Sequence, residues 1–176
     1  MGVNPAGHQT SVGRDSLLFF VGSGVQDDNH SGSMRISTVR DKPTLEKLGL
    51  PTGVQVLNTR QWSMLSEEEM GAMAEVLGIE HIPEGSMGEN LRISGIPGLT
   101  EFRVGTLFGF RKNGKARMTV LFGMGENLPC VDMAKNLAEI TENNGVRSKA
   151  VGAALGLRGQ TGFVYLVVKS VLEMRF

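Results

Sequence analysis

The chain has 176 residues, 40% of them hydrophobic and 20% charged, which fits one ordinary globular domain better than two. Lys plus Arg and Asp plus Glu both number 18, so the formal charge is zero and the basic footprint that argues for nucleic-acid binding is missing. One cysteine excludes an intramolecular disulfide, and no Cys/His set has the spacing of a zinc site.

Glycine stands out at 24 residues, about twice the average share, and favours turns and bulges over long helices. Residues 1–16 read as a loose lead-in and 17–176 as a single domain. The apolar run Leu17 to Val21 is a short strand, too brief for a membrane span or a signal-peptide core. Together with the cysteine count, this points to the cytoplasm and to no membrane partner.

A polar loop follows from Gln26 to Met34, then a β-leaning stretch from Arg35 to Val39, with 41–53 irregular. Val54 to Leu57 and Arg60 to Leu65 are strands. Ser66-Glu67-Glu68-Glu69 has the form of a capping box, in which Ser66 would take the N3 amide and Glu69 would reach back to the cap amide. Leu65 and Met70 occupy the staple positions. Met70, Met73, Ala74 and Leu77 give one apolar helix face, which Gly78 ends.

Leu91 to Ile96, Thr106 to Arg111 and Arg117 to Phe122 are strands, the last two joined through Asn113-Gly114 in a hairpin. A second helix is expected from Asp132, as N-cap, to Asn143, with Met133, Leu137 and Ile140 on its apolar face. Thr161 to Ser170 is a strand that Val171 to Phe176 either extends or folds back on. Seven or eight short strands with two or three peripheral helices predict a mainly β fold, a small β-barrel. Met87-Gly88-Glu89-Asn90-Leu91 recurs as Met124-Gly125-Glu126-Asn127-Leu128, which reads either as two coincident turns or as pseudo-symmetry.

Cys130 lies between a strand and the expected second helix. A thiol near a helix N-terminus is more readily ionised, and a thiolate there can be a nucleophile, a sulfur carrier or a soft-metal ligand. The alternative is a buried cysteine acting as a small hydrophobe. Of the three histidines, His8 and His81 fall in loops. His30 sits in Asp28-Asn29-His30-Ser31-Gly32, where Asp28 either orients the imidazole or makes a simple Asx turn. No nucleophile elbow, P-loop or dinucleotide fingerprint is present.

The ordered set is more specific than its parts. Asp28-x-His30-x-Gly32 comes first, then Arg60-Gln61 leading into Leu65-Ser66-Glu67-Glu68. Gly88-Glu89-Asn90-Leu91 with Gly95 follows, then Pro129-Cys130, and finally Arg158-Gly159. Over roughly residues 17–170 this resembles the MOSC domain family, named for the C-terminal domain of molybdenum cofactor sulfurase. The resemblance implies a β-barrel that binds molybdenum cofactor (molybdopterin) or carries sulfur as a persulfide on the cysteine matching Cys130. It implies a molybdenum-dependent oxidoreductase, reducing N-hydroxylated compounds, or a sulfur transferase, served by a redox or sulfur-donor protein. The other reading is a non-catalytic module or scaffold acting with a partner protein.

On that resemblance Cys130 is the catalytic residue and the molybdenum ligand. Arg60, Asn90, Arg158 and His30 are the cofactor contacts, since a phosphate and a pterin call for cations and hydrogen-bonding groups. For the arginines the alternative is a solvated surface charge, and for Asn90 a turn or cap. The chain departs from the family pattern at Asp27, where Gly is usual, and at Asn29, where a basic residue is common. Asn127 and Leu128 stand where an Arg often precedes the Pro-Cys pair.

Overall fold

The computed structural model describes residues 2–3, 10, 12–13, 17–111, 117–126, 131–143 and 163–173. In chain order the elements are β1 (Gly2–Val3), β2 (Val12–Gly13), β3 (Phe19–Phe20), β4 (Gly24–Val25), β5 (Met34–Ile36), α1 (Lys42–Lys47), β6 (Gln55–Leu57) and β7 (Trp62–Ser66). They continue with α2 (Glu67–Leu77), β8 (Leu91–Ile93), β9 (Leu107–Arg111), β10 (Arg117–Glu126), α3 (Val131–Asn143) and β11 (Phe163–Glu173). Among the described residues the fold is mainly β with three α-helices, as the sequence predicts. β1 and β2 pair within the stretch expected to be a loose lead-in.

Five strands form the main sheet in the order β8-β7-β11-β10-β9. β7 and β8 are parallel because α2 carries the chain back between them, and the other pairs are antiparallel. β11 lies between β10 and β7 and extends past Ser170 to Glu173, while 174–176 lie outside the described residues. β8 and β9 are the ends of this sheet, and no pairing between them closes a barrel among the described residues. β3–β4 and β5–β6 form two further two-stranded pairs.

β7 is buried on both faces, which accounts for its apolar content. Leu65 faces a cluster with Met70, Met73, Ala74 and Leu77 of α2 and Met133 and Leu137 of α3. Trp62 and Met64 face the other way, onto Val25, Leu99 and Leu121, with Phe19 packed edge-on to Trp62 at 4.6 Å between ring centroids. Among the described residues, no helix is long and apolar enough to cross a membrane.

Three local expectations are corrected. Ser66 caps α2 by accepting from the Glu69 amide at 3.4 Å, but Glu69 does not return to the cap. Its carboxylate instead accepts from the Thr100 amide and hydroxyl at 2.9 and 2.7 Å, fixing the 3-10 turn Leu99–Glu101 to α2. Second, α3 begins at Val131, so Asp132 lies in its first turn and is not the N-cap. Third, 41–53 is not wholly irregular: α1 starts there with Pro43 in its first turn, where a missing N–H does no harm. Gly78 ends α2 in the left-handed region at φ 69°, as predicted.

Candidate functional site

The loop from Gly22 to Gly32 is held onto the strand β7 by side chains that satisfy its backbone. Gln61 Nε2 donates to the carbonyls of Gly22 and Gly32 at 2.6 and 3.3 Å. Asn58 Nδ2 donates to the carbonyls of His30 and Gly32 at 2.7 and 2.9 Å, while its Oδ1 accepts from the Arg60 amide at 3.0 Å. One amide side chain thus ties the Asp-x-His step to Arg60. Gly24 is required for this closeness: at φ +90°, an added Cβ would lie 2.8 Å from Gln61 Cβ and its carbonyl oxygen.

Asp28 is the buried hub of the loop, with its side chain fully out of solvent. One carboxylate oxygen accepts from the His30 amide at 2.8 Å and lies 3.2 Å from His30 Nδ1. The other accepts from Asn90 Nδ2 at 2.6 Å. The Asx turn and the oriented imidazole, set out above as alternatives, are therefore both present. A carboxylate on Nδ1 favours the Nδ1–H form of a neutral ring and leaves Nε2 as its acceptor. The His30 ring is half exposed.

Asn90 is buried and stitched to the sheet: its Oδ1 accepts from the Ser63 amide at 3.0 Å and its own amide donates to the Ser63 carbonyl at 3.2 Å. The turn leading to it is knotted by Glu89, which accepts from the amides of Gly85 and Met87 at 2.8 and 3.2 Å. Arg92 closes that knot with a 2.6 Å ion pair to Glu89 and a 2.6 Å bond to the Ile82 carbonyl. Glu89 and Asn90 thus serve opposite purposes, one holding the turn and one joining it to Asp28. The second Met-Gly-Glu-Asn-Leu copy has Met124 to Glu126 inside β10, so the two copies do not share a structure.

Arg60 is half-buried and lies 3.4 Å from Asp41 Oδ1. Arg35 holds the same carboxylate with both arms, Nη1 to Oδ2 at 2.7 Å and Nη2 to Oδ1 at 2.5 Å. The Arg35 hydrogen bonds, helped by the Thr38 amide, keep the Asp41 carboxyl well below the usual carboxylate range. The Arg60 guanidinium is shifted the unfavourable way, first by burial and then by the charge of Arg35, with Asp41 only partly compensating. Sequence reasoning missed Arg35 and Asp41; Arg35 looked like an ordinary strand residue.

The structure therefore brings His30, Asn90 and Arg60 into one hydrogen-bonded framework through Asp28 and Asn58. Cys130 and Arg158 lie outside the described residues, Cys130 immediately before α3 in sequence. Among the described residues, no group of three or more His, Cys, Asp or Glu side chains is placed to hold a metal ion.

YuaD of Bacillus subtilis (strain 168), named for metal-sulfur cluster biosynthesis, is 31% identical over 146 residues, covering 82% of this chain and 70% of that protein. The crystal structure of the YuaD protein from Bacillus subtilis matches with a TM-score of 0.80 at 23% identity, over 97% of this chain and 86% of the other, a likeness of fold. The family model for the MOSC domain matches residues 30–173, and the chain belongs to that family.

Proposed function

We propose that this chain is a sulfur- or molybdenum-cofactor-handling MOSC protein that works through Cys130, on a sheet that closes as a small barrel in a single domain. The observation that carries this reading is one hydrogen-bonded framework, in which Asp28 joins His30 to Asn90 and Asn58 ties the His30 carbonyl to the Arg60 backbone amide. These bonds fix the His30 ring and the backbone of Arg60, whose guanidinium lies 3.4 Å from Asp41. A framework of that kind has a cost in ordered polar groups that packing alone does not require.

The donor set fits the phosphate end of molybdopterin, because Arg60 is a half-buried cation beside a shared carboxylate. Arg60 and Arg158 would hold that phosphate, with His30 at the rim and Asn90 positioning the loop from behind. When bound, molybdopterin would supply a molybdenum centre for two-electron chemistry, with Cys130 as its thiolate ligand. In the sulfur-carrier form, the Cys130 thiolate would attack the terminal sulfur of a donor protein's persulfide. The new S–S bond forms as the donor's S–S bond breaks, and the donor leaves as a thiolate. The naming of YuaD for metal-sulfur cluster biosynthesis supports a sulfur role. A reducing cytoplasm suits a working thiol.

The test is purification from a host that makes molybdenum cofactor, with metal analysis, pterin fluorescence and mass spectrometry of Cys130 after exposure to a persulfide donor. The reading predicts molybdenum with pterin, or a 32-dalton sulfur adduct, each lost in Cys130→Ala while the fold persists (~32 Da for one added sulfur atom). If neither is found, the alternative of a non-catalytic module or scaffold acting with a partner protein takes its place.

A further inference from the structure

The β5–β6 pair is built inside out. Met34, Ile36 and Leu57 point to solvent, whereas Arg35 and Ser37, on the alternate face of the same strand, point inward. Ser37 continues the ladder by donating its amide to the Val54 carbonyl and accepting from the Gly53 amide. Its hydroxyl is buried, as is Arg35 Nε, and neither has a hydrogen-bond partner among the described residues. Buried donors without acceptors are costly to leave unmet.

The charges around this face are unbalanced. Residues 35–60 carry five basic side chains and two acidic ones, Asp41 and Glu46, in a chain whose formal charge is zero. Glu46 is taken up by Lys42 at 3.6 Å on the surface. Asp41 is left to face Arg35 and Arg60 together, and of the two guanidinium groups Arg35 is the closer, at 2.5 Å against 3.4 Å. Among the described residues Arg60 therefore has only the 3.4 Å contact with Asp41 to offset its charge, in a half-buried position.

We propose that Arg35, Arg60 and the Ser37 hydroxyl form a subsite for a phosphate-class dianion, and that Asp41 occupies it as an internal carboxylate when no ligand is present. The inference rests on reading Arg60 as a cofactor contact and goes beyond it by adding Arg35, Ser37 and a built-in competitor. A phosphate offers three acceptor oxygens and a second negative charge, so it can serve both guanidinium groups and the hydroxyl at once. Asp41 would then swing away from Arg60 while keeping its bond from the Thr38 amide (2.8 Å in this structure). Bound affinity is thus set by competition between a tethered monoanion and a free dianion.

The experiment titrates the purified full chain with inorganic phosphate and, separately, with glycerol 3-phosphate, by calorimetry and thermal melting. Saturable binding is expected, weakened about tenfold or more by Arg60→Gln, which leaves the Arg35–Asp41 pair intact. Asp41→Asn retains an acceptor for the Thr38 amide and is expected to tighten phosphate binding by about three- to tenfold. Stronger binding of the phosphomonoester assigns the subsite to an organic phosphate, and stronger binding of inorganic phosphate assigns it to the free ion. Absence of saturable binding by both probes up to about 10 mM overturns the proposal, as does equal affinity in Asp41→Asn and the unaltered chain. Phosphate binding is expected to survive Cys130→Ala. A chain that binds phosphate but takes up neither molybdenum nor sulfur therefore sinks only the reading of Cys130.

Discussion

Asp28 and Asn90, 62 residues apart in sequence, are joined by a 2.6 Å hydrogen bond in a buried setting. The Asp28 carboxylate also serves the backbone and ring of His30, so its removal would free a loop and orphan a buried amide at once. Asp28→Ala is expected to destabilise the fold by about 2–4 kcal/mol, above the cost of one ordinary hydrogen bond. Asn90→Ala would have a similar effect, because the Ser63 amide loses its acceptor. The two changes share partners, so their double mutant should fall short of additivity by about 1 kcal/mol or more in urea melts. Full additivity would mean the bond does not couple loop and turn.

The Glu89–Arg92 pair invites a different ranking. Both side chains are nearly inaccessible, 4% and 6% exposed, and a buried pair broken on one side typically costs about 3–5 kcal/mol. Glu89 additionally accepts from two turn amides, while Arg92 donates to the carbonyls of Ile82 and Pro83. Orphaned amides are harder to satisfy than carbonyls, which have two lone pairs. Glu89→Leu should therefore lower the denaturation midpoint more than Arg92→Met, and the double variant should recover only part of the loss. A milder effect for Glu89→Leu than for Arg92→Met would refute this ordering.

Asp27 has φ 63°, the left-handed region that side chains other than Gly, Asn and Asp rarely adopt, and among the described residues it is the one non-glycine found there. The family's usual glycine at this step has a backbone reason, and aspartate is a substitute the backbone tolerates. Asp27→Gly should change stability by less than about 1 kcal/mol, since relief of strain offsets greater freedom in the unfolded chain. Asp27→Val should cost about 1–2 kcal/mol. Thermal melts of the two variants side by side decide it; a harmless valine would show that the left-handed backbone is not required.

The legible parts of the chain were those where side-chain period and end signals agree. Ser66, the Met70-Met73-Ala74-Leu77 face and Gly78 mark α2 from start to stop, and all lie where expected. α1 was not legible, because it is six residues long with only Leu45 buried, and Pro43 reads as a breaker before it reads as a helix start. β5 misleads more deeply: alternation of Met34, Arg35, Ile36 and Ser37 normally places the apolar pair inward, and here it faces solvent. That inversion is why Arg35 and Asp41 escaped notice. His30, Asn90 and Arg60 were legible as motif residues, but the two bonds that bring their segments together, Asn58 to the His30 carbonyl and Asn90 to Asp28, span 28 and 62 residues and leave no local trace.

Asp41 gives the pH dependence that separates its structural role from a passive surface charge. Its folded-state pKa is held down, chiefly by the Arg35 hydrogen bonds and then by the Thr38 amide and the charges of Arg35 and Arg60. A depressed carboxylate contributes stability that is fully present above the unfolded value, ~3.9, and is lost as pH falls through the folded value. Arg35 stays protonated throughout, its pKa raised by the same hydrogen bond. The stability gap between the unaltered chain and Asp41→Asn should therefore be widest near neutrality and begin to close below about pH 4. Urea midpoints measured from neutral to acid pH would show this as converging curves. Parallel curves would mean that Asp41 is no better held in the folded chain than in the unfolded one, and with that its place between the two arginines would be lost.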